Sequence, residues 1–209
     1  MNKSTPTTLL LIRHAEVEAR YQHVFGGRID MEISPRGQEQ AAALAQHLKR
    51  RKIDALFASP MKRVHQTLSA YVNNGAPQPV ILPDLREVDF GDWTGHGWAA
   101  VQTKFGVSAY SWIDQLNCGG IANAENIISY RERVAGVLTT IRQSPAGATI
   151  AVFCHGGVIR MMLALLLDVP FPKTNSFAVD YASVTEVALK PDRCEIQLLN
   201  FTPWRRLTP

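Results

Sequence analysis

Short, uninterrupted apolar runs alternate along this chain with stretches whose apolar residues recur every three or four positions. Residues 7–12 form the first run, bounded by threonines and a charge, which predicts a buried strand. Residues 55–58 repeat that pattern, 80–82 give a shorter version, and 149–153 give the most distinct one. Ala41, Leu44, Ala45 and Leu48 fall on one helical face behind Ser34-Pro35, a capping residue followed by a first-turn residue, so a helix is predicted over 35–50. Ser59-Pro60 offers the same start to a helix ending near 72. Ile128, Val134, Val137, Leu138 and Ile141 make the stripe of a helix over 125–143, and another helix is predicted over 158–167. Residues 182–189 and 195–199 read as two closing strands around a turn at Pro191-Asp192. Residues 21–31, pivoting on Gly26-Gly27, and 83–97, rich in Asp, Gly and Trp, read as loops, whereas the region up to Gly120 shows no readable pattern.

Strands alternating with helices predict an α/β fold, a three-layer αβα sandwich with a mostly parallel central sheet. No repeat, low-complexity block or linker divides the chain, so 1–209 reads as a single domain with a lid or subdomain insertion at about 88–125. Sites in such sheets lie beyond the carboxyl ends of the strands. Arg13 and His14 leave the first predicted strand, residues 59–63 leave the second, Glu87 follows the third, and His155 leaves the fourth. Four polar clusters distant in sequence are thus predicted to converge on one rim.

Those residue types suit a phosphate monoester, which needs its charge neutralised, an in-line nucleophile and a proton for the departing alkoxide. Arg13 and Arg63 can each offer a fork of donors to phosphate oxygens. His14 can attack through one ring nitrogen if a backbone carbonyl holds the other. His155, protonated, adds a donor, and Glu87 is the natural proton carrier. Gly156-Gly157 behind His155 supply bare amides at a helix start, where an anion can sit. Arginine and histidine already supply positive charge, so neither a metal nor a cofactor is expected. Each residue also has a plainer reading: Arg63 on a solvent face, Glu87 paired with Arg86, His155 as a satisfied core histidine. The grouping at four strand ends is what lifts them above it.

Composition narrows the partners. Lys and Arg exceed Asp and Glu by 22 to 18, a formal charge of +4 that favours a small anionic partner such as a phosphorylated metabolite. The basic residues are scattered, so nucleic acid is not indicated. The three cysteines, Cys118, Cys154 and Cys194, are odd in number and widely spaced, which suggests neither a disulfide framework nor a zinc site. With no membrane-length apolar segment, and a first apolar run too short for a signal peptide, the expected location is the cytoplasm. The oligomeric state stays open, a homodimer included.

Arg13-His14-Ala15-Glu16, Gly27-Arg28-Ile29-Asp30, Ser59-Pro60-Met61-Lys62-Arg63, Glu87-Val88-Asp89-Phe90-Gly91-Asp92-Trp93-Thr94-Gly95 and His155-Gly156-Gly157-Val158-Ile159-Arg160 occur in that order across nearly the whole chain. Together they resemble the histidine phosphatase superfamily, the phosphoglycerate mutase-like enzymes. The resemblance implies a phosphorylated nucleophile at His14, a phosphate pocket completed by Arg13, Arg63 and His155, and a proton donor at Glu87. Ala15, Val17 and Arg20 depart from the family's usual Gly, Thr and Asn. Arg20 either serves a further anionic group of the substrate or points into solvent, and Gly27 is a second candidate substrate contact. The Gly91-Asp92-Trp93-Thr94-Gly95 form and the short chain resemble the phosphatase branch rather than the mutases, which carry a longer insertion after the third motif. Two rivals stand beside hydrolysis. Cys154 precedes Arg160 at the spacing of cysteine-dependent phosphatases, although Phe153 and Met161 break that motif. A non-catalytic binding module is the other, although such relatives typically lack the nucleophile or the acid, and both are present here.

Overall fold

The computed structural model describes residues 6–72 and 76–207. Six strands, β1 (Thr7–Arg13), β2 (Ala55–Ala58), β3 (Val80–Ile81), β4 (Thr149–Cys154), β5 (Val184–Leu189) and β6 (Cys194–Phe201), form one sheet in the order β3-β2-β4-β1-β5-β6. β1 and β2 both run parallel to β4, and β3 parallel to β2, while β5 is antiparallel to β1 and β6 to β5. The helices are α1 (Pro35–Leu48), α2 (Lys62–Val72), α3 (Trp98–Phe105), α4 (Trp112–Asn117), α5 (Ile127–Ile141) and α6 (Gly156–Leu167).

Successive side chains of a strand point to opposite faces. Leu9 and Leu11 of β1 accordingly pack with Val134 and Leu138 of α5 and Val158 and Met162 of α6, while Leu10 and Ile12 pack with Leu44 and Leu48 of α1 and Val64 and Leu68 of α2. Both faces of β1 are covered, which is why it reads as a continuous apolar run rather than an alternating one. Each such fully buried Leu or Ile contributes about 1.5–3 kcal/mol of transfer free energy. The αβα sandwich expected from the pattern is the observed architecture.

Three elements differ from the pattern in instructive ways. Ser34 caps α1, its Oγ accepting from Gly37 N at 2.9 Å, but α2 begins only at Lys62, and the Ser59 hydroxyl both accepts from Met61 N at 3.4 Å and meets His155 Nε2 at 2.8 Å. On α5, Ile128 is 64% exposed and Tyr130 is buried in its stead. Tyr130 leads the spacing of Val134, Val137, Leu138 and Ile141, whereas Ile128, two residues earlier, is turned to the opposite side of the helix. The unreadable region holds α3, a 3₁₀ turn at Ala109–Ser111 and α4. These pieces are too short to display a helical period, yet Val101, Ala109, Ile113 and Leu116 enter the same apolar cluster as Trp93 and Tyr130.

Candidate active site

Strand register builds the centre of the site. Arg13 of β1 is paired with Cys154 of β4, so the next residues, His14 and His155, emerge side by side from adjacent parallel strands. Their ring centroids lie 5.3 Å apart. His14 Nδ1 is 2.8 Å from the Ala15 carbonyl, which can only accept, and Nε2 is 3.2 Å from Arg63 Nε, which can only donate. These two contacts together put the proton on Nδ1 and leave the lone pair on Nε2. Burial first, then the charges of Arg63 and Arg13, hold His14 well below the ordinary imidazole range, against the pull of the Ala15 hydrogen bond. The ring is therefore neutral at neutral pH.

His155 departs from its expected charge. It is completely buried, its Nε2 shares a hydrogen bond with Ser59 Oγ, and its Nδ1 has no partner. Burial, then Arg63, His14 and Arg13, push its pKa well down, so the ring is neutral rather than cationic. Arg63 also differs from the free fork that was expected. Its Nη1 donates to the Ile29 carbonyl at 2.8 Å and its Nη2 to the Gly27 carbonyl at 3.0 Å. Three of its five N–H groups are thus spent holding the 21–31 loop and His14, and two remain for a ligand. Gly27, at φ +46°, contributes through that carbonyl and lines the pocket. Arg13 Nη1 donates to Val179 O at 2.6 Å, and the guanidinium lies 4.0 Å over the Tyr181 ring, which also approaches the His14 ring at 5.6 Å.

Glu87 follows a 3₁₀ turn at Pro83–Leu85. It is not paired with Arg86: its Oε1 accepts from Val88 N at 3.0 Å and its Oε2 from Gly157 N at 3.1 Å. One of the amides expected to bind phosphate at the start of α6 therefore serves this carboxylate, while Gly156 abuts the Arg13 side chain. Arg20 does not reach the pocket. Its side chain is 69% exposed and meets both carboxylate oxygens of Glu18 at 3.2 Å. Cys154 is fully buried, and burial, then Glu87, raises its thiol far above the usual range, which is the reverse of what a thiolate nucleophile needs.

The cluster opens into a pocket of about 390 Å³. Arg13, His14, Arg63, Glu87, Gly156 and Gly157 line it together with the rings of Tyr21, Phe25, Phe90, Trp98, Tyr110, Trp112 and Tyr181. Sequence reasoning overlooked Tyr181, Ser59 as the partner of His155, and Tyr130 beside Glu87. No local motif marks them, since each becomes significant only through a neighbour far away in the chain. Among the described residues no group of three or more His, Cys, Asp or Glu side chains is placed to hold a metal ion, and no helix is long and apolar enough to cross a membrane.

The family model of the histidine phosphatase superfamily (branch 1) matches residues 9–202. The chain belongs to this superfamily. As a histidine phosphatase it is a phosphoric monoester hydrolase. It is 32% identical over 195 residues to phosphoserine phosphatase 1 of Hydrogenobacter thermophilus, covering 93% of this chain and 92% of that one. It is 23% identical over 192 residues to the adenosylcobalamin/alpha-ribazole phosphatase of Escherichia coli, covering 92% and 95%. The crystal structure of the alpha-ribazole phosphatase from Shigella flexneri superposes with a TM-score of 0.80 at 23% identity, covering 93% of this chain and 96% of that one.

Proposed function

We propose that this histidine phosphatase hydrolyses a small phosphomonoester through a phosphohistidine on His14, with Glu87 as proton donor. The tautomer of His14 carries the reading: Nδ1–H is tied to the Ala15 carbonyl and the Nε2 lone pair faces Arg63 and the pocket. A bound phosphate takes over the Arg63 Nε contact and frees that lone pair for in-line attack. As the N–P bond forms, the P–O bond to the alcohol breaks and Glu87 transfers its proton to the departing oxygen. Water then attacks phosphorus, Glu87 takes a proton back, and the N–P bond breaks to release phosphate. Arg13, Arg63 and His155 balance the charge on the equatorial oxygens, His155 gaining its proton with the dianion.

The test is a brief exposure to a radiolabelled phosphomonoester. Wild-type protein is expected to carry an acid-labile, base-stable label, and His14→Ala neither label nor turnover. Parent-rate hydrolysis of an aryl phosphate by His14→Ala would sink the mechanism.

For the substrate we propose an ester whose alcohol half is flat and uncharged. Seven aromatic rings line the pocket, and Asp180, an acid of the same lining, is engaged by Asn200 and Arg205. The third and fourth motifs also resemble those of α-ribazole-5'-phosphate phosphatase. Phosphoserine is the second reading. The Hydrogenobacter relative bears that name, and Arg160, a pocket cation whose Nη1 donates to the Thr174 and Phe177 carbonyls, could meet a carboxylate with its other donors. A panel containing α-ribazole 5'-phosphate, phosphoserine, phosphoglycerates and sugar phosphates separates the two by kcat/KM. A cytoplasmic setting suits the three free thiols.

A further inference from the structure

The reaction above makes no use of the buried hydroxyl of Tyr130. Tyr130 sits on α5, is fully buried, and its oxygen has no hydrogen-bond partner. A methyl group built on Gly157 would lie 3.2 Å from this oxygen and 2.5 Å from Glu87 Oε1. Phenol and carboxylate therefore converge on one point, kept open by a residue with no side chain. The ring is fixed by packing: Arg133 lies 4.7 Å over it, and Phe171 meets it edge-on at 6.0 Å. A buried hydroxyl without a partner calls for an explanation, such as a bound water or a role in the functional cycle. Glu87 accepts one backbone donor on each oxygen and has lone pairs to spare.

We propose that Tyr130 is a positioning residue for Glu87, its hydroxyl donating, directly or through one water, to the carboxylate that remains once the leaving alcohol has been protonated. The inference rests on Glu87 being the proton donor. No proton leaves the phenol, because burial and the nearby Glu87 hold its ionisation well above the usual range. A donor that engages only the ionised acid makes that form easier to reach, so its removal moves the alkaline limb of the rate profile to higher pH. The other groups facing Glu87 are Arg63 on α2, Arg133 on α5, Cys154 at the end of β4 and Arg160 on α6. Those facing Tyr130 are Glu87, Arg133, Glu125, Cys154 and Arg160. All of them remain when only the hydroxyl is removed.

The experiment is Tyr130→Phe in the full chain, with kcat and kcat/KM followed against pH for an alkyl phosphate and for p-nitrophenyl phosphate. For the alkyl ester the expected result is a fall in kcat on the order of threefold to tenfold with the alkaline limb displaced upward, and for the aryl ester a smaller change, because a good leaving group needs less protonation. In a Glu87→Gln background the same substitution should have no effect on turnover. Superimposable pH profiles with unchanged kcat, whatever happens to the melting temperature, would overturn the proposal and leave Tyr130 a packing residue. So would a loss that persists in Glu87→Gln. Full alkyl phosphate turnover by Glu87→Gln alone would instead overturn the acid assignment on which the proposal stands.

Discussion

His14 and His155 each bury a titratable ring beside arginines, and their depressed pKa values tie stability to pH. Above the unfolded value of about 6.5, neither the folded nor the unfolded chain protonates these rings, and their contribution is constant. Below it the unfolded chain takes up protons that the folded pocket refuses, so stability falls as pH drops, by up to about 1.4 kcal/mol per pH unit for each ring. Urea unfolding at pH 7.5, 6.5 and 5.5 should therefore show a progressive loss on the acid side, relieved in part by saturating phosphate, which favours the protonated His155. Equal stability at all three pH values would contradict the burial argument. The sequence suggested both rings and a carbonyl to hold His14, because an apolar run followed by a histidine defines a strand end. It could not reveal that His155 stays neutral, which follows from its burial beside Arg63, or that Arg63 spends three donors on loop and ring, which depends on where residues 21–31 run.

Among the elements, the start of α6 combines the most tasks in the least space. Its Gly157 amide holds Glu87, and its missing side chain admits both that carboxylate and the Tyr130 hydroxyl. In Gly157→Ala the added methyl would stand 2.5 Å from Glu87 Oε1, so the carboxylate must move. Alanine improves helix propensity by roughly 0.5–1 kcal/mol while crowding costs about 1–3 kcal/mol, so stability should fall by at most about 2.5 kcal/mol. Activity should change selectively: alkyl phosphate turnover falls on the order of a hundredfold, p-nitrophenyl phosphate far less, and the histidine label still forms. Equal losses on both esters would mean that the methyl disturbs the phosphate floor instead. The strands and long helices were legible because each carries enough residues to display its period. The Ser59-Pro60 start was placed a little early, and the second role of Ser59, as partner of His155, was not legible because a capping serine and a histidine partner look identical in sequence. Residues 98–117 were not legible because helices of eight and six residues span too few turns to show a stripe.

Over the whole molecule, the sheet order β3-β2-β4-β1 sets four consecutive parallel strands side by side, which gathers Glu87, the Ser59–Arg63 turn, His155 and His14 on one rim. Facing them, α3 and the turn at Ala109–Ser111 form an outer wall that is fastened to the 21–31 loop. Phe25 N donates to His96 O at 3.0 Å, Gly95 N to Phe25 O at 2.9 Å, and Trp98 N to His23 O at 2.9 Å. The rings follow the backbone, Trp98 meeting His23 at 5.2 Å and Tyr110 at 5.0 Å, both edge-on. Arg63 holds the same loop from below through the Gly27 and Ile29 carbonyls, so phosphate floor and aromatic wall share one support. That arrangement separates two kinds of binding energy. Contacts at the floor strengthen as charge shifts in the reaction and raise kcat, whereas stacking on the wall is the same before and during reaction and sets KM. Trp98→Ala should accordingly raise KM on the order of tenfold for an ester with a ring-bearing alcohol, leave its kcat nearly unchanged, and leave inhibition by inorganic phosphate untouched. A fall in kcat with constant KM would place Trp98 in the chemistry rather than in substrate choice, and an unchanged KM would mean that the alcohol half lies elsewhere in the pocket.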